Sequence, residues 1–190
     1  MKSVFQSITI ILLALLSAQG AFASASHDPE LRKKLIQAIE QSSSFKDRFT
    51  AEVWLLDMST RLTKQLPDTK IRLKILRSVH REATRVELPP ELILAVIDIE
   101  SRFDRFAISR SGAQGLMQIM PFWLDEIGHP DDNLVVADTN LRMGCTILKH
   151  YIEKEKGNLK RGLARYNGSL GKFVYPNKVL KVLREKWFRS

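Results

Sequence analysis

The stretch from Glu91 to Ser101 is an apolar segment that carries a carboxyl group near its end. At about 100° per residue, a helix places Glu100 on the same arc as its apolar neighbours, whereas Asp98 and Glu91 face the other side. We therefore expect Asp98 to be the solvent carboxylate and Glu100 to be buried. A fold built around this helix must accommodate a buried carboxyl group.

Burial gives Glu100 two alternative roles. Removal of a carboxyl group from water disfavours its ionised form and raises its pKa, which keeps a general acid protonated near neutral pH. A buried glutamate can equally be paired with an arginine or a lysine, and such ion pairs also shift pKa values. The helix alone does not decide between the two.

The first half of the chain has helical periodicity and no strand-like alternation. We predict a helix pair over Leu31–Ile39 and Phe45–Leu66, the second ended by Pro67. The next helix is capped by Asp68 or Thr69. Its expected buried stripe is Ile71, Ile75, Val79 and Ala83, and its expected exposed residues are Arg72, Lys74, Arg77 and Arg81.

The second half continues the helical pattern. Pro90 suits the first turn of the Glu100 helix, and Asp138 with Thr139 begins a longer helix that Gly157 closes. The chain has no internal repeat and no linker long enough to divide it.

The N-terminus has the features of a secretory signal peptide. Lys2 precedes the apolar run Ile8–Leu16, and Ala-x-Ala sites follow, which predicts cleavage after Ala23 or Ala25. The run is shorter than the ~20 apolar residues that span a bilayer, so we expect no membrane anchor after cleavage. Cys145 is the only cysteine, which excludes an internal disulfide and fits an exported bacterial envelope protein held together by its core.

The chain is strongly basic, with a formal net charge of +9. In the cytoplasm such a charge attracts nucleic acid, but the signal peptide argues against that partner. Outside the cytoplasm it favours the acidic peptides of the cell wall and anionic lipid headgroups. Because the charges are spread over helix faces, they indicate targeting only weakly.

Three motifs follow one another in the second half: Glu100-Ser101, Gly115–Pro121 with the sequence Gly-Leu-Met-Gln-Ile-Met-Pro, and Ala164–Asn167 with the sequence Ala-Arg-Tyr-Asn. An amphipathic helix separates the last two. Each fragment is weak alone, but in this order the set resembles the soluble type of lytic transglycosylase.

The resemblance implies a mainly α, lysozyme-like catalytic domain of the α+β superfamily, with little or no sheet, preceded by a helical N-terminal extension. The expected layout is a signal peptide over residues 1–23, the extension over 26–87 and the catalytic domain over 88–190. The extension could pack on the catalytic core or form a separate module for an envelope or secretion-machinery protein. The apolar bulk of Trp54, Leu55, Leu56 and Met58 favours packing on the core.

The resemblance also implies site residues and a reaction. Glu100 is the expected catalytic acid and then base, acting on peptidoglycan glycan strands in the periplasm without a cofactor. The attack of a sugar's own C6 hydroxyl on C1 produces a 1,6-anhydro end. The expected substrate-binding residues are Ser101, Gly115, Leu116, Met117, Gln118, Tyr166 and Asn167. Arg165 departs from the small residue that many members carry before the tyrosine, and is expected at solvent or against a wall peptide.

Two other functions stay open. A hydrolytic muramidase on the same fold would need a second carboxyl group, and Asp104 is the nearby acidic candidate if the helix continues to residue 104. The more favoured expectation is that the helix ends near Ser101–Phe103 and that Asp104 caps the chain or meets Arg102 or Arg105. The other alternative is a non-catalytic wall binder. The four histidines have no metal-ligand spacing, so no metal is expected.

Overall fold

A computed structural model describes residues 44, 45 and 47–188. The predicted signal peptide, its cleavage sites and the predicted helix Leu31–Ile39 lie outside the described residues. The described part contains seven α-helices and a final π-helical turn. They are α1 (Arg48–Leu62), α2 (Thr69–Arg85), α3 (Pro90–Glu100), α4 (Trp123–Ile127), α5 (Ala137–Lys154), α6 (Leu159–Tyr166), α7 (Val174–Val182) and the turn Leu183–Trp187.

Helix α3 lies at the centre of the packing. Every residue from Leu92 to Ile97 is buried, and α3 contacts α2, α7 and the C-terminal turn. A helix that is apolar on nearly all sides is stable only when its neighbours exclude water from all of them. Pro90 occupies the first helical turn, as predicted. The site at the end of α3 therefore rests on the most buried helix of the domain.

The fold is mainly helical, as the sequence predicts. Between α3 and α4 the described backbone forms turns with only two isolated antiparallel bridges, Ile108 with Gln114 and Gln114 with Ile119. These bridges fold residues 101–122 into a compact loop over the end of α3. Little or no sheet is the expectation for this class, and no strand is assigned over residues 44, 45 and 47–188.

Helix α1 begins and ends inside the predicted range Phe45–Leu66. Asp47 caps its N-terminus by accepting a hydrogen bond from the Thr50 amide at 2.9 Å. The helix ends at Leu62, and the chain continues in turns to Pro67. The carbonyls of Leu66 and Pro67 accept hydrogen bonds from the Arg72 guanidinium, so a side chain of the next helix binds the end of this segment.

In helix α2 the sequence prediction was wrong at two neighbouring positions. Ile71 is 49% exposed, whereas Arg72 is only 6% exposed. Arg72 is stable there because its Nε donates to the Ser59 hydroxyl at 2.8 Å and one terminal nitrogen donates to the carbonyls of Leu66 and Pro67 before α2. The other predicted core residues, Ile75, Val79 and Ala83, are buried, and Asp68 caps the helix as expected.

The described part of the predicted extension packs on the helices that follow it. The indole of Trp54 donates a hydrogen bond to Glu91 at 2.7 Å, and α2 contacts both α3 and α5. Leu55 and Met58 are buried in this contact region. The division at residue 88 between an extension and a catalytic domain stays a prediction.

Candidate active site

Glu100 is the last residue of α3, and its side chain lies in a site that excludes most solvent. Burial raises its pKa from 4.5 to about 7, and a hydrogen bond from Tyr175 opposes part of that rise. The Tyr175 hydroxyl donates to Oε1 of Glu100 at 2.7 Å. No cation pairs with Glu100 among the described residues. Glu100 therefore titrates near neutral pH and is not part of an ion pair with another described residue.

Tyr175 belongs to α7, and the sequence analysis missed it. It lies one helical turn before the buried residue Val179. The sequence around it is therefore that of an ordinary half-buried tyrosine on the core-facing side of a helix. Burial raises the Tyr175 pKa well above its ordinary value, and the nearby charge of Glu100 adds to the rise. The hydroxyl is therefore a donor at every pH at which the protein would act.

Ser101 connects the end of α3 to the following loop. Its hydroxyl donates to the carbonyl of Leu116 at 2.8 Å and is also 3.3 Å from the carbonyl of Ile97. This places the loop directly beside the helix end that carries Glu100. Contact between Ser101 and a sugar stays a prediction.

The loop from Gly115 to Gln118 is a tight turn that its own Gln118 side chain helps to hold. Gly115 has a φ of 77°, and Gln118 has a φ of 51°. The Gln118 amide nitrogen donates to the carbonyls of Gly115 at 3.0 Å and Ala107 at 3.1 Å. Because both bonds join the Gln118 side chain to backbone carbonyls, they hold the tight turn closed.

Leu116 and Met117, which lie inside this loop, have fully buried side chains. Met117 packs against Gly144 of α5, where an added Cβ would lie 2.4 Å from the Met117 sulfur. These two side chains therefore form core. A substrate contact at these positions, which remains a prediction, would have to use the backbone.

Asn140 of α5 was not predicted, yet its side chain makes three hydrogen bonds to backbone groups in and around the loop. It is fully buried. Its Oδ1 accepts from the Met117 amide at 2.8 Å, and its Nδ2 donates to the carbonyls of Gln114 at 2.8 Å and Leu134 at 2.9 Å. A Cβ at Gly115 would lie 2.4 Å from that nitrogen, which explains the glycine there.

Tyr166 ends α6 beside the same loop. Its hydroxyl donates to the carbonyl of Met117 at 2.7 Å, and burial followed by the nearby charge of Glu100 raises its pKa well above its ordinary value. Asn167 caps the helix and is exposed. The structure thus brings Glu100, Ser101, the Gly115–Gln118 loop and Tyr166 together, and adds Tyr175 and Asn140.

Comparison with known proteins identifies the family of the chain. The model of the transglycosylase SLT domain family matches residues 77–178, which is more than half of the chain. The chain belongs to the lytic transglycosylase family.

Two solved structures are similar to this lytic transglycosylase family member. One is an inactive mutant of the lytic transglycosylase Slt from Pseudomonas aeruginosa, with 26% identity and a TM-score of 0.46 over 69% of this chain and 24% of that chain. The other is the 70 kDa soluble lytic transglycosylase Slt70 from Escherichia coli, with 18% identity and a TM-score of 0.47 over 83% of this chain and 31% of that chain. The chain thus spans less than a third of the length of either.

Arg165, the residue that departs from the family pattern, is half-buried and ion-paired rather than free at solvent, and its contact with a wall peptide stays a prediction. Its guanidinium pairs with Glu155, a residue of low exposure that also binds Arg161 at 2.5 Å. The two arginines hold the pKa of Glu155 below its ordinary value. This cluster fixes α6, and with it Tyr166, to the end of α5.

The prediction that Asp98 is the solvent carboxylate of α3 was wrong. Asp98 is not solvent-exposed, because its side chain is only 12% exposed and pairs with Lys186 at 2.8 Å. It also accepts a hydrogen bond from Gln65 at 2.7 Å. Glu91 is half-buried and accepts from Trp54. Both anchor α3 to elements far away in the sequence.

Asp104 does not lie on the Glu100 helix. The helix ends at Glu100, and Arg102 and Phe103 have φ values of 53° and 69° that turn the chain away. Asp104 is exposed and accepts a hydrogen bond from the Phe106 amide at 2.9 Å, which is the capping role that was favoured. The helical (i, i+4) pairing with Glu100 is therefore absent.

Over residues 44, 45 and 47–188, no group of three or more histidine, cysteine, aspartate and glutamate side chains is arranged to hold a metal ion. In the same part of the chain, no helix is both long and apolar enough to cross a membrane.

Proposed function

We propose that this protein is a peptidoglycan lytic transglycosylase that cleaves the β-1,4 bond between N-acetylmuramic acid and N-acetylglucosamine and forms a 1,6-anhydro end. The observation that carries the proposal is Glu100, a carboxyl group whose pKa burial raises to about 7 and whose hydrogen-bond partner within the described part of the chain is a phenol rather than a cation. Membership of the lytic transglycosylase family supports it.

In the first step Glu100 acts as a general acid. Its proton passes to the bridging oxygen as the bond between that oxygen and the muramic C1 breaks, and positive charge develops at C1 in an oxocarbenium-like centre. Proton transfer by a positioned acid contributes typically 10²–10⁴-fold. A pKa near 7 suits this role because a large fraction of the groups is protonated near neutral pH and is still acidic enough to give the proton away.

In the second step the ionised Glu100 acts as a base. It takes the proton of the C6 hydroxyl of the same sugar while that oxygen forms a bond to C1, so the proton lost in the first step is restored and no water is consumed. The intramolecular attack has a large proximity advantage. Tyr175 stabilises the carboxylate between the steps because its hydroxyl donates to the ionised oxygen.

A second carboxylate is the feature that a retaining or inverting hydrolase generally requires, at about 5–5.5 Å or 6.5–9.5 Å from the first. Asp104, the predicted candidate, is exposed on a loop and caps the Phe106 amide. The proposal therefore uses one carboxyl group for both steps.

Product analysis in isotopically labelled water tests the proposal. Purified peptidoglycan is digested with the protein in H₂¹⁸O, and the released muropeptides are analysed by mass spectrometry. We expect 1,6-anhydro ends without ¹⁸O, because the attacking oxygen comes from the sugar. Reducing ends that contain ¹⁸O would make the protein a muramidase, and binding without release would make it a wall binder.

Tyr175→Phe tests the phenol on Glu100. Loss of a hydrogen bond to a charged group costs about 1.5 kcal/mol, so we expect kcat to fall about tenfold. Because Tyr175 lowers the Glu100 pKa, its removal raises that pKa, and the alkaline decline of the rate moves to higher pH. The measurement is a pH profile of kcat on soluble glycan strands.

Tyr151→Phe is the matched control, since the Tyr151 ring packs on Trp123 and its hydroxyl is not part of the proposed machinery. Its profile should follow the wild type. An unchanged profile for Tyr175→Phe would remove the phenol from the mechanism.

We place this activity in the periplasm, where peptidoglycan is accessible and to which the N-terminal 23–25 residues are suited to direct the chain. Residues 26–87 are proposed as an extension of the catalytic domain, and the contact between Trp54 and Glu91 supports this assignment. The same extension offers a surface to an envelope or secretion-machinery protein.

A further inference from the structure

A cleft of about 340 Å³ lies between the loop that follows Glu100 and the start of α2. Leu66, Ile71 and Phe103 line its apolar side, and Arg102 and Arg105 lie on its loop side. It is distinct from the contacts of Glu100 with Tyr175, which lie toward α7.

The two arginines of this cleft differ from most others in the domain. Over the described residues, neither Arg102 nor Arg105 forms an ion pair, whereas arginines of α1, α2, α5 and α6 are bound to carboxylates. Arg105 instead stacks on the ring of Phe106 at 4.3 Å. The one carboxylate of the cleft, Asp104, caps the Phe106 amide. The cleft therefore presents guanidinium donors with no protein carboxylate to satisfy them.

The apolar groups of the cleft are also accessible. Phe106 is 59% exposed and Ile71 is 49% exposed. Phe103, by contrast, is buried, with its ring centroid 5.7 Å from that of Trp187. This anchor fixes the loop, so the guanidiniums extend from a rigid turn. A ligand with carboxylates and small apolar groups matches such a surface.

The chain itself limits the distance from this cleft to the reacting sugar. Arg102 follows Glu100 by two residues and Arg105 by five, so their Cα atoms lie within about 7 Å and 18 Å of that of Glu100. An extended tetrapeptide spans about 14 Å. A peptide attached to the sugar at Glu100 can therefore reach the cleft.

From these observations we infer that this cleft binds the acidic peptide attached to the muramic acid, with Arg102 and Arg105 on its carboxylates and Ile71 and Phe106 on its apolar side chains. The inference rests on the proposed function for the identity of the sugar. Several lining residues, Gln65, Leu66, Ile71 and Ile75 among them, precede residue 77, where the family match begins. The cleft thus belongs in part to the segment before the matched domain.

Rates on two forms of one substrate test the inference. Soluble glycan strands that carry their peptides are compared with the same strands after an amidase has removed the peptides. The variants are Arg105→Ala and Arg102→Gly, the second chosen because glycine readily adopts the φ of 53° at that position. Arg184→Ala, at an arginine whose side chain is 73% exposed on the C-terminal turn, is the charge-matched control.

We expect each cleft variant to raise KM about tenfold on the peptide-bearing strands, with kcat and the peptide-free reaction unchanged. Equal changes on both substrates, or no change on either, would overturn the inference. If the wild type cleaves neither substrate, the proposed function fails independently. Calorimetric binding of a released acidic tetrapeptide then decides: binding weakened by Arg105→Ala supports the cleft, and no binding by the wild type overturns it.

Discussion

Glu100→Gln is expected to abolish formation of 1,6-anhydro ends, with at least a 10³-fold loss of rate. Glutamine fills the same space, but it can neither give a proton to the leaving oxygen nor take one from the C6 hydroxyl, so both proposed steps fail. A 10³-fold loss corresponds to about 4 kcal/mol of transition-state stabilisation. The measurement is the rate of anhydro-muropeptide release at pH 6, where the wild-type acid is protonated.

The same substitution should stabilise the folded protein at alkaline pH. The Glu100 pKa is about 7 in the folded state against an ordinary 4.5, so the folded state binds the proton more tightly than the unfolded state. The stability that this proton contributes is complete below pH about 4.5 and is lost as pH rises through 7. Glu100→Gln has no such loss, and should gain about 2–3 kcal/mol over the wild type at pH 8.

Denaturant unfolding at pH 4 and pH 8 checks this gain. The two proteins should be nearly equal at pH 4 and differ at pH 8. A variant that is inactive and less stable at both values would mean that Glu100 is a structural residue. Asp125→Asn, at an exposed carboxylate of α4, is the control and should leave both the rate and the pH dependence unchanged.

Asn140→Ala is expected to have the largest effect on stability. The substitution removes three hydrogen bonds of a fully buried side chain and leaves the Met117 amide and the carbonyls of Gln114 and Leu134 without that partner. Net hydrogen bonds are worth about 1 kcal/mol each, and unsatisfied buried groups cost more. We expect a loss of about 3–5 kcal/mol in the free energy of unfolding, measured by denaturant titration.

Asn140→Asp keeps the volume of the side chain and the acceptor for Met117 but loses the two donated bonds, so it tests those two bonds separately. It should lose activity by displacing the loop while it retains helical circular dichroism. Asn177→Ala, at an exposed asparagine of α7, should change neither stability nor rate. If Asn140→Asp proves as active as the wild type, the loop does not depend on this side chain.

The helical class and the burial of the apolar residues of α3 follow from periodicity, whereas Glu100, at the end of that helix, is half-buried rather than fully buried. The errors came from polar residues whose partners lie on other segments, Lys186 for Asp98, and Ser59 with the Leu66 carbonyl for Arg72. Arg72 and Asp98 have the hydrophilicity of surface residues, but each is bonded by groups that the fold alone brings near. Local pattern carries no information on such partners.

The same limit explains which residues of the candidate site the sequence analysis found and which it missed. The motifs located Glu100 and Tyr166, because they are recognisable by residue type and order. Tyr175 and Asn140 were missed because only tertiary packing brings them to their partners. Tyr175 is 75 residues from Glu100 in the sequence, and Asn140 is 23 residues from Met117. Neither position differs in its local sequence from an ordinary residue of an amphipathic helix.

Two adjacent carbonyls of the loop, those of Leu116 and Met117, are each bonded by a hydroxyl, one from Ser101 and one from Tyr166. The three short motifs are therefore parts of a single hydrogen-bonded unit. An engineer who moves the acidic helix into another helical scaffold must transplant the loop, its two hydroxyls and the asparagine beneath it as one block. Exchanging the motifs one at a time between enzymes should give inactive hybrids even where every exchanged residue is of the right type.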